Sequence, residues 1–398
     1  MKKVRASKSL QNFGPEAEVF QMLRKLKQQG MWGGEVIDLT VGSPDGPPEK
    51  EIIESLVEHV KKQDVHGYGN IAGEREFREQ VAIWYRKVYR VELDPDQEVL
   101  PLIGSKRVMI DMAIDLVNPG KNVLIPEIGY PTYKIAAVIA RGVPFRYQLD
   151  EENGYTPVFS SVERNVLLNS DLMYLNYPQN PTGAGVEGDS FVEAIQLAKE
   201  FGFTICHDNA YGPISFDGRI NPSFLQFDGA KETGVEVFSF SKVFNMAGWR
   251  VACMVGSSEV INIVRQTLVD YTAGIFTPIQ FAASRALEIF FSHDIAHRQS
   301  QKYEKRRDVV VSCLEEIGWD FFKPKGGFYV WAGPPVEDTL PFVSRLFELT
   351  GVLVTPGIAY GPKGSKYIRI GLVHNEDLLK EAFARMKKVG SVLYEDPV

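Results

Sequence analysis

The chain has 398 residues, 44% hydrophobic and 24% charged, with 44 basic against 51 acidic side chains and a net charge of −7. That size allows two or three domains and a core that needs no metal or disulfide, and the acidic balance argues against a nucleic-acid partner, which would need a basic field. Three cysteines without CxxC spacing argue against a disulfide framework or zinc site, and the lack of an apolar run of roughly 18 residues or of a signal-peptide core predicts a cytoplasmic protein with no membrane partner.

Helix-period and strand-like segments alternate along the chain. Residues 16–29 carry an amphipathic helix pattern, and 36–41 (VIDLTV) a strand stopped by the turn-rich GSPDGPPE. Helices are expected at 50–62 and 74–90. LPLI (100–103) is a short apolar strand that feeds GSK and a helix at 105–117, closed by Asn118-Pro119-Gly120. The pattern continues as strand 122–125, helix 130–140, strands 144–148 and 171–176, helix 189–201, and strands 203–206, 235–240 and 251–255. Helices follow at 258–270 and 278–291. Strands joined by crossover helices predict an α/β fold with a mostly parallel sheet covered on both faces. The long amphipathic pattern at 295–317 leads out of that sheet. Strands at 327–332, 351–355 and 367–371, with helices at 339–349 and 376–388, predict a smaller α+β domain. The expected division is a large domain over 46–290 and a discontinuous small domain over 1–45 and 291–398.

Three segments are set aside. His293 and His297 in HDIAH stand four residues apart, a spacing that can bind zinc, but Asp294 replaces the glutamate of HExxH and no third ligand is near. No metal is expected. GYGNIAG (67–73) has its last glycine one place late for a dinucleotide fingerprint, with no strand before it. KYEKRR (302–307) reads as a solvated helix face rather than a phosphate patch.

The chemistry concentrates in four places. In VFSFSKVFNMAGWR (237–250), Lys242 follows a β-rich run that ends at Ser239, the strand end at which open α/β sheets bind ligands. A desolvated lysine amine becomes a nucleophile able to form a Schiff base, and Arg250, eight residues on, suits a phosphate. In FTICHDNAY (203–211), Asp208 at a strand end can keep a pyridinium nitrogen protonated, and Tyr211 can donate to a phenolate oxygen; taken alone they read equally as a cap and a packing ring. In LNYPQNPTG (175–183), Asn180 can reach the same oxygen, although Asn-Pro-Thr-Gly is also plain turn chemistry. In IGSK (103–106), Gly104 and Ser105 open a helix whose amides can cradle a phosphate.

In this order, the four pieces resemble the class I and II aminotransferases that use pyridoxal 5′-phosphate. The likeness runs from LTVGSPD near residue 40 to YIRIGLV at 367–373. ELDPDQEVLPLIGSK, LNYPQNPTG and SFSKVFNMAGWR are similar to the subgroup that holds the LL-diaminopimelate aminotransferases and the aromatic transaminase of bacilysin biosynthesis. The resemblance implies a type I pyridoxal-phosphate fold and ping-pong transfer of an amino group from an L-amino acid to a 2-oxo acid. It makes Lys242 the Schiff-base lysine and proton shuttle. Asp208 would hold the pyridine nitrogen, with Asn180 and Tyr211 on the phenolate oxygen. Gly104, Ser105 and Lys106 would cradle the phosphate through amides, and Ser239 and Arg250 through side chains. Tyr130 would stack on the ring. Arg369 would clamp the substrate carboxylate, with Gly42 and Asn180 beside the substrate. Tyr68, in HGYGNIAG, matches a tyrosine that relatives send to the phosphate of the neighbouring subunit, so a homodimer with a shared site follows. A C–S β-lyase or an amino-acid oxidase on the same fold would share these residues; a non-catalytic ligand sensor of the same fold is the remaining rival. VACMVG after Arg250 and Asn209 after Asp208 depart from the common pattern without removing a catalytic group.

Overall fold

The computed structural model describes residues 15–28, 34–272 and 274–394; residues 1–14 and 395–398, which the expected small domain includes, lie outside the described residues. The first strand, β1 (Ile37–Asp38), pairs in parallel with β12 (Val352–Leu353), near the far end of the chain. The next eight strands are β2 (Val99–Leu102), β3 (Asn122–Pro126), β4 (Val143–Asp150), β5 (Thr156–Val158), β6 (Ser170–Leu175), β7 (Thr204–Asn209), β8 (Gly234–Ser239) and β9 (Ala252–Gly256). They form one sheet in the order β2-β9-β8-β7-β6-β3-β4-β5. Pairings from β8 through β4 are parallel. The flanking pairs β2–β9, β8–β9 and β4–β5 are antiparallel. The sheet is therefore mixed, with a parallel centre as the crossover helices require. β2, β8 and β9 are buried along their whole length, which is why β2 and β9 read as continuous apolar runs and β8 does so apart from Glu236 and Ser239.

The helices fall where the 3.6-residue pattern puts them. Arg75–Tyr89 and Ser105–Leu116 end within a residue or so of expectation. The strands that escaped notice, β5 and β10 (Asp320–Phe322), are three residues each, too short for any period to register. β10, β11 (Tyr329–Gly333), β14 (Ile368–Gly371) and β13 (Thr355–Pro356) make a second, antiparallel sheet in that order. Among the described residues no helix is long and apolar enough to cross a membrane.

One expectation fails on the 23-residue helix Ile295–Ile317. KYEKRR is not a solvated face: Arg306 and Arg307 are 5% and 1% exposed. Arg307 grips the Asp217 carboxylate through both terminal nitrogens, at 2.7 and 2.9 Å, and Arg306 bonds Asp45 at 2.7 Å. These anions arrive from distant loops, so no spacing along the helix signals them. His293 of HDIAH pairs with Glu51 instead, at 3.0 Å.

A buried polar hub lies beneath the carboxyl ends of β7 and β8. The Glu236 carboxylate accepts from the Tyr85 hydroxyl, the Asn209 amide, the Ser223 hydroxyl and the Phe224 backbone amide, at 2.8 to 2.9 Å. Nδ1 of His207 lies 2.8 Å from it. Burial alone would raise the Glu236 pKa, but the bonds from His207, Asn209 and Tyr85 outweigh it and hold the carboxyl below its ordinary 4.5. A depressed folded pKa stabilises above the unfolded value and loses that contribution as pH falls. Glu236→Ala leaves these buried donors without an acceptor and should cost about 3–5 kcal/mol, read as a lower midpoint in chemical denaturation at pH 7.

Candidate active site

The parallel strands β6, β7 and β8 end on one side of the sheet, and beyond them lies a cavity of about 450 Å³. β7 delivers Asp208 to it. Asp208 is 6% exposed, and its Oδ2 accepts from the Tyr133 hydroxyl at 2.9 Å. Its Oδ1 is buried with no hydrogen-bond partner among the described residues. Burial raises the Asp208 pKa, against the bond from Tyr133 and the charges nearby. Asn176, just past β6, donates to the Asp208 carbonyl at 2.7 Å and fixes the strand end.

β8 stops at Ser239, whose side chain accepts from the Ser241 amide at 3.3 Å and so caps the short helix Phe240–Val243. That turn sends Lys242 into the cavity, where Nζ donates to the Gly42 carbonyl. Burial, then repulsion from Arg369 and Arg250, lowers the Lys242 pKa from 10.5 to about 8; the Asp208 carboxylate opposes the shift. The amine is thus neutral in about a tenth of molecules at pH 7, against well under a thousandth for an ordinary lysine.

At one end of the cavity are Ser105 and Lys106, which start the helix Ser105–Leu116, and Arg250. Gly104, at φ +74°, turns the chain into this helix, and the Arg250 guanidinium packs so closely on it that a Cβ would not fit. Nη1 of Arg250 donates to the Ala247 carbonyl at 2.8 Å. Nζ of Lys106 lies 5.8 Å from the ring centre of Tyr130. Elsewhere on the wall, β14 supplies Arg369. Its Nη1 donates to Asn180 Oδ1 at 2.9 Å and its Nη2 to the Thr40 carbonyl at 2.8 Å. The guanidinium lies 3.9 Å above the Tyr329 ring. The Tyr211 and Tyr329 hydroxyls are 3.4 Å apart, and Gly42 sits against Tyr329 where a side chain would collide.

Gly42, Ser105, Lys106, Tyr130, Asn180, Asp208, Tyr211, Ser239, Lys242, Arg250 and Arg369 therefore all border one cavity. Gly104 does so indirectly, under Arg250. Tyr68 does not: it is 94% exposed. Thr40, Asn176, Tyr133, Tyr329 and Tyr360 belong to the site and its supports, yet were not singled out from the sequence. Tyr133 stands within the IGYPTY stretch, but nothing local distinguishes it from a core tyrosine; the others act through a carbonyl or by closing the wall.

The donor set fits pyridoxal 5′-phosphate. Arg250, Lys106 and the amides at the helix start suit a phosphate dianion. The unpartnered Asp208 oxygen suits a protonated ring nitrogen. Lys242 suits the aldehyde carbon. In the cofactor-free protein, Lys242 should react with a small acylating reagent with a midpoint near pH 8, and Arg369→Met should move that midpoint upward. Peptide mass spectrometry across a pH series reads this; a midpoint near 10.5 would contradict the geometry.

The class I and II aminotransferase family model matches residues 34–386. An LL-diaminopimelate aminotransferase of Halothermothrix orenii is 40% identical over 93% of this chain and 94% of its own length. Transaminase BacF of Bacillus subtilis is 38% identical over 94% of each. The substrate-bound BacF structure superposes with a TM-score of 0.92, at 36% identity over 97% of this chain and 98% of that one. An aspartate aminotransferase mutant of Thermus thermophilus gives 0.88 at 25% identity, over 97% and 100%.

Proposed function

The chain belongs to the class I and II aminotransferases, and from that premise we propose how its residues divide the work of moving an amino group from an amino acid to a 2-oxo acid. The observation that carries the reading is a single buried amine, Lys242, with its pKa lowered to about 8, sharing a cavity with an unpartnered carboxylate oxygen and with two arginines, Arg369 on β14 and Arg250 in the loop before β9. When bound, pyridoxal phosphate supplies the carbonyl that captures the amino group and a ring that accepts the charge developing at the substrate Cα. Arg250, Ser239, Lys106 and the backbone at Gly104 and Ser105 hold its phosphate. Asp208, kept rigid by Tyr133 and Asn176, keeps the ring nitrogen protonated. Asn180 and Tyr211 would hold its phenolate oxygen, and Tyr130 would stack on its ring. Arg369 orients the substrate carboxylate, with Gly42 and Asn180 beside it. Lys242 would hold the cofactor's aldehyde carbon, and its neutral amine would carry the proton between the substrate Cα and that carbon.

We further propose a homodimer in which Tyr68 serves the partner's phosphate, supported by a large ring left 94% exposed on the chain that carries it. The division into 46–290 and the segments 1–45 with 291–398 is likewise proposed, supported by the β1–β12 pairing.

Single L-amino acids added to the purified holoenzyme without a keto acid should change the cofactor absorbance once and then stop, and a keto acid should restore it. Continued release of ammonia without a keto acid would indicate a lyase or an oxidase. Asp208→Ala should still bind cofactor but lose about 10²–10³-fold in turnover, because one fixed charge facing the developing one is gone. In mixtures, Lys242→Ala and Tyr68→Ala chains should give more activity than their sum, since one mixed-dimer site regains both side chains. Strictly additive activities would place Tyr68 outside the partner's site.

A further inference from the structure

Residues 40–48 form neither helix nor strand, yet they border the cavity through Thr40 and Gly42. The Thr40 carbonyl accepts from Arg369 and the Gly42 carbonyl from Lys242. A strap without ladder bonds keeps its carbonyls aimed only if it is tied down elsewhere. At its start, Leu39 is bonded by its backbone to Leu353 and Gly371, and Asp38 accepts from the Thr40 amide and hydroxyl; beyond Thr40 the ties are side chains. Asp45 Oδ2 accepts from Arg306 Nη2 at 2.7 Å, and Oδ1 accepts from Lys302. Nη1 of Arg306 bonds the Leu372 carbonyl at 3.1 Å, so one guanidinium joins the strap to the segment just past Arg369. Asn245, three residues beyond Lys242, donates to the Pro47 carbonyl at 3.0 Å. Burial opposes ionisation of Asp45, but the bonds from Arg306 and Lys302 prevail and hold its carboxyl down at about 2.

We propose, resting on the transaminase reading above, that Asp45 with Arg306 and Lys302 is a positioning device for the amino-acid substrate. It holds the strap so that the Thr40 carbonyl aims the Arg369 guanidinium and the Gly42 carbonyl faces Lys242. None of the three touches the reacting atoms. The carboxylate clamp acts on the bound substrate and on the transition state alike, so loosening it weakens binding uniformly, which raises KM and spares kcat.

Asp45→Asn in the holoenzyme should raise KM for the amino donor about ten-fold with kcat within about three-fold. Pyridoxal phosphate titrated into the cofactor-free variant should bind as tightly as to the parent. Asp45→Glu should recover most of the KM. Lys302→Met, which removes only the more exposed cation, should raise KM about three-fold, and it tests the same point should Asp45→Asn fold poorly. An unchanged KM in both variants overturns the proposal. So does a parallel loss of kcat and cofactor affinity, because the strap would then serve the cofactor site. A parent protein that turns over no amino acid overturns the transaminase reading itself; a parent that does, with an unmoved KM in the variants, overturns only the clamp.

Discussion

The site depends on keeping one amine buried beside other cations. Lys242 lies in a cavity it shares with Arg250, Arg369 and Lys106, and Asp208 is the carboxylate there. Burial first, and then the like charges of Arg369 and Arg250, raise the energy of the ammonium, which is why the proton leaves more readily than in water. The arrangement is tolerable without ligand because each arginine already has carbonyl acceptors, Ala247 for one and Thr40 for the other. Such bonds satisfy part of the donor set, Nε of Arg369 having no partner among the described residues, and they do not cancel the charge. The pocket therefore stays electropositive, as binding a phosphate and a carboxylate together requires.

Much of this was legible in the sequence because the chemistry sits at strand ends. β7 and β8 are strand-like stretches with β-branched and aromatic residues that run into polar ones, and that transition marks Asp208 and Lys242 as strand-end groups. The glycine before Ser105 announces a turn into a helix. The ordered motifs then identified the family, which no single one of them could. The supports were hidden for a physical reason: Tyr133, Asn176 and Tyr329 meet the site through bonds between residues 32 to 118 positions apart, where periodicity carries no information. Arg306 is the sharpest case. In sequence it lies in a basic run on an amphipathic helix, which ordinarily faces water. Its burial follows only once the strap brings Asp45 to it.

The Glu236 hub shows the same principle in the core. Its partners come from a helix (Tyr85), from β7 (His207 and Asn209) and from the loop ahead of the cap at Ser223. A charge this deeply buried persists only if nearly every lone pair is used, so the hub fixes how the ends of β7 and β8 lie relative to one another. Those are the ends that carry Asp208 and the turn to Lys242.

Asn180 and Arg369 meet across the cavity, one following a strand of the large sheet and the other standing on β14 of the smaller one. The groups suited to the cofactor come almost entirely from the large sheet and its loops, whereas those suited to the substrate come from the strap and the smaller sheet. Chemistry and selectivity thus reside on different stretches of polypeptide joined by a few bonds. Tyr360 lines the cavity wall without bonding Lys242, whereas the strap bonds it through the Gly42 carbonyl, so substitutions at the wall leave the lysine's setting intact and substitutions in the strap do not.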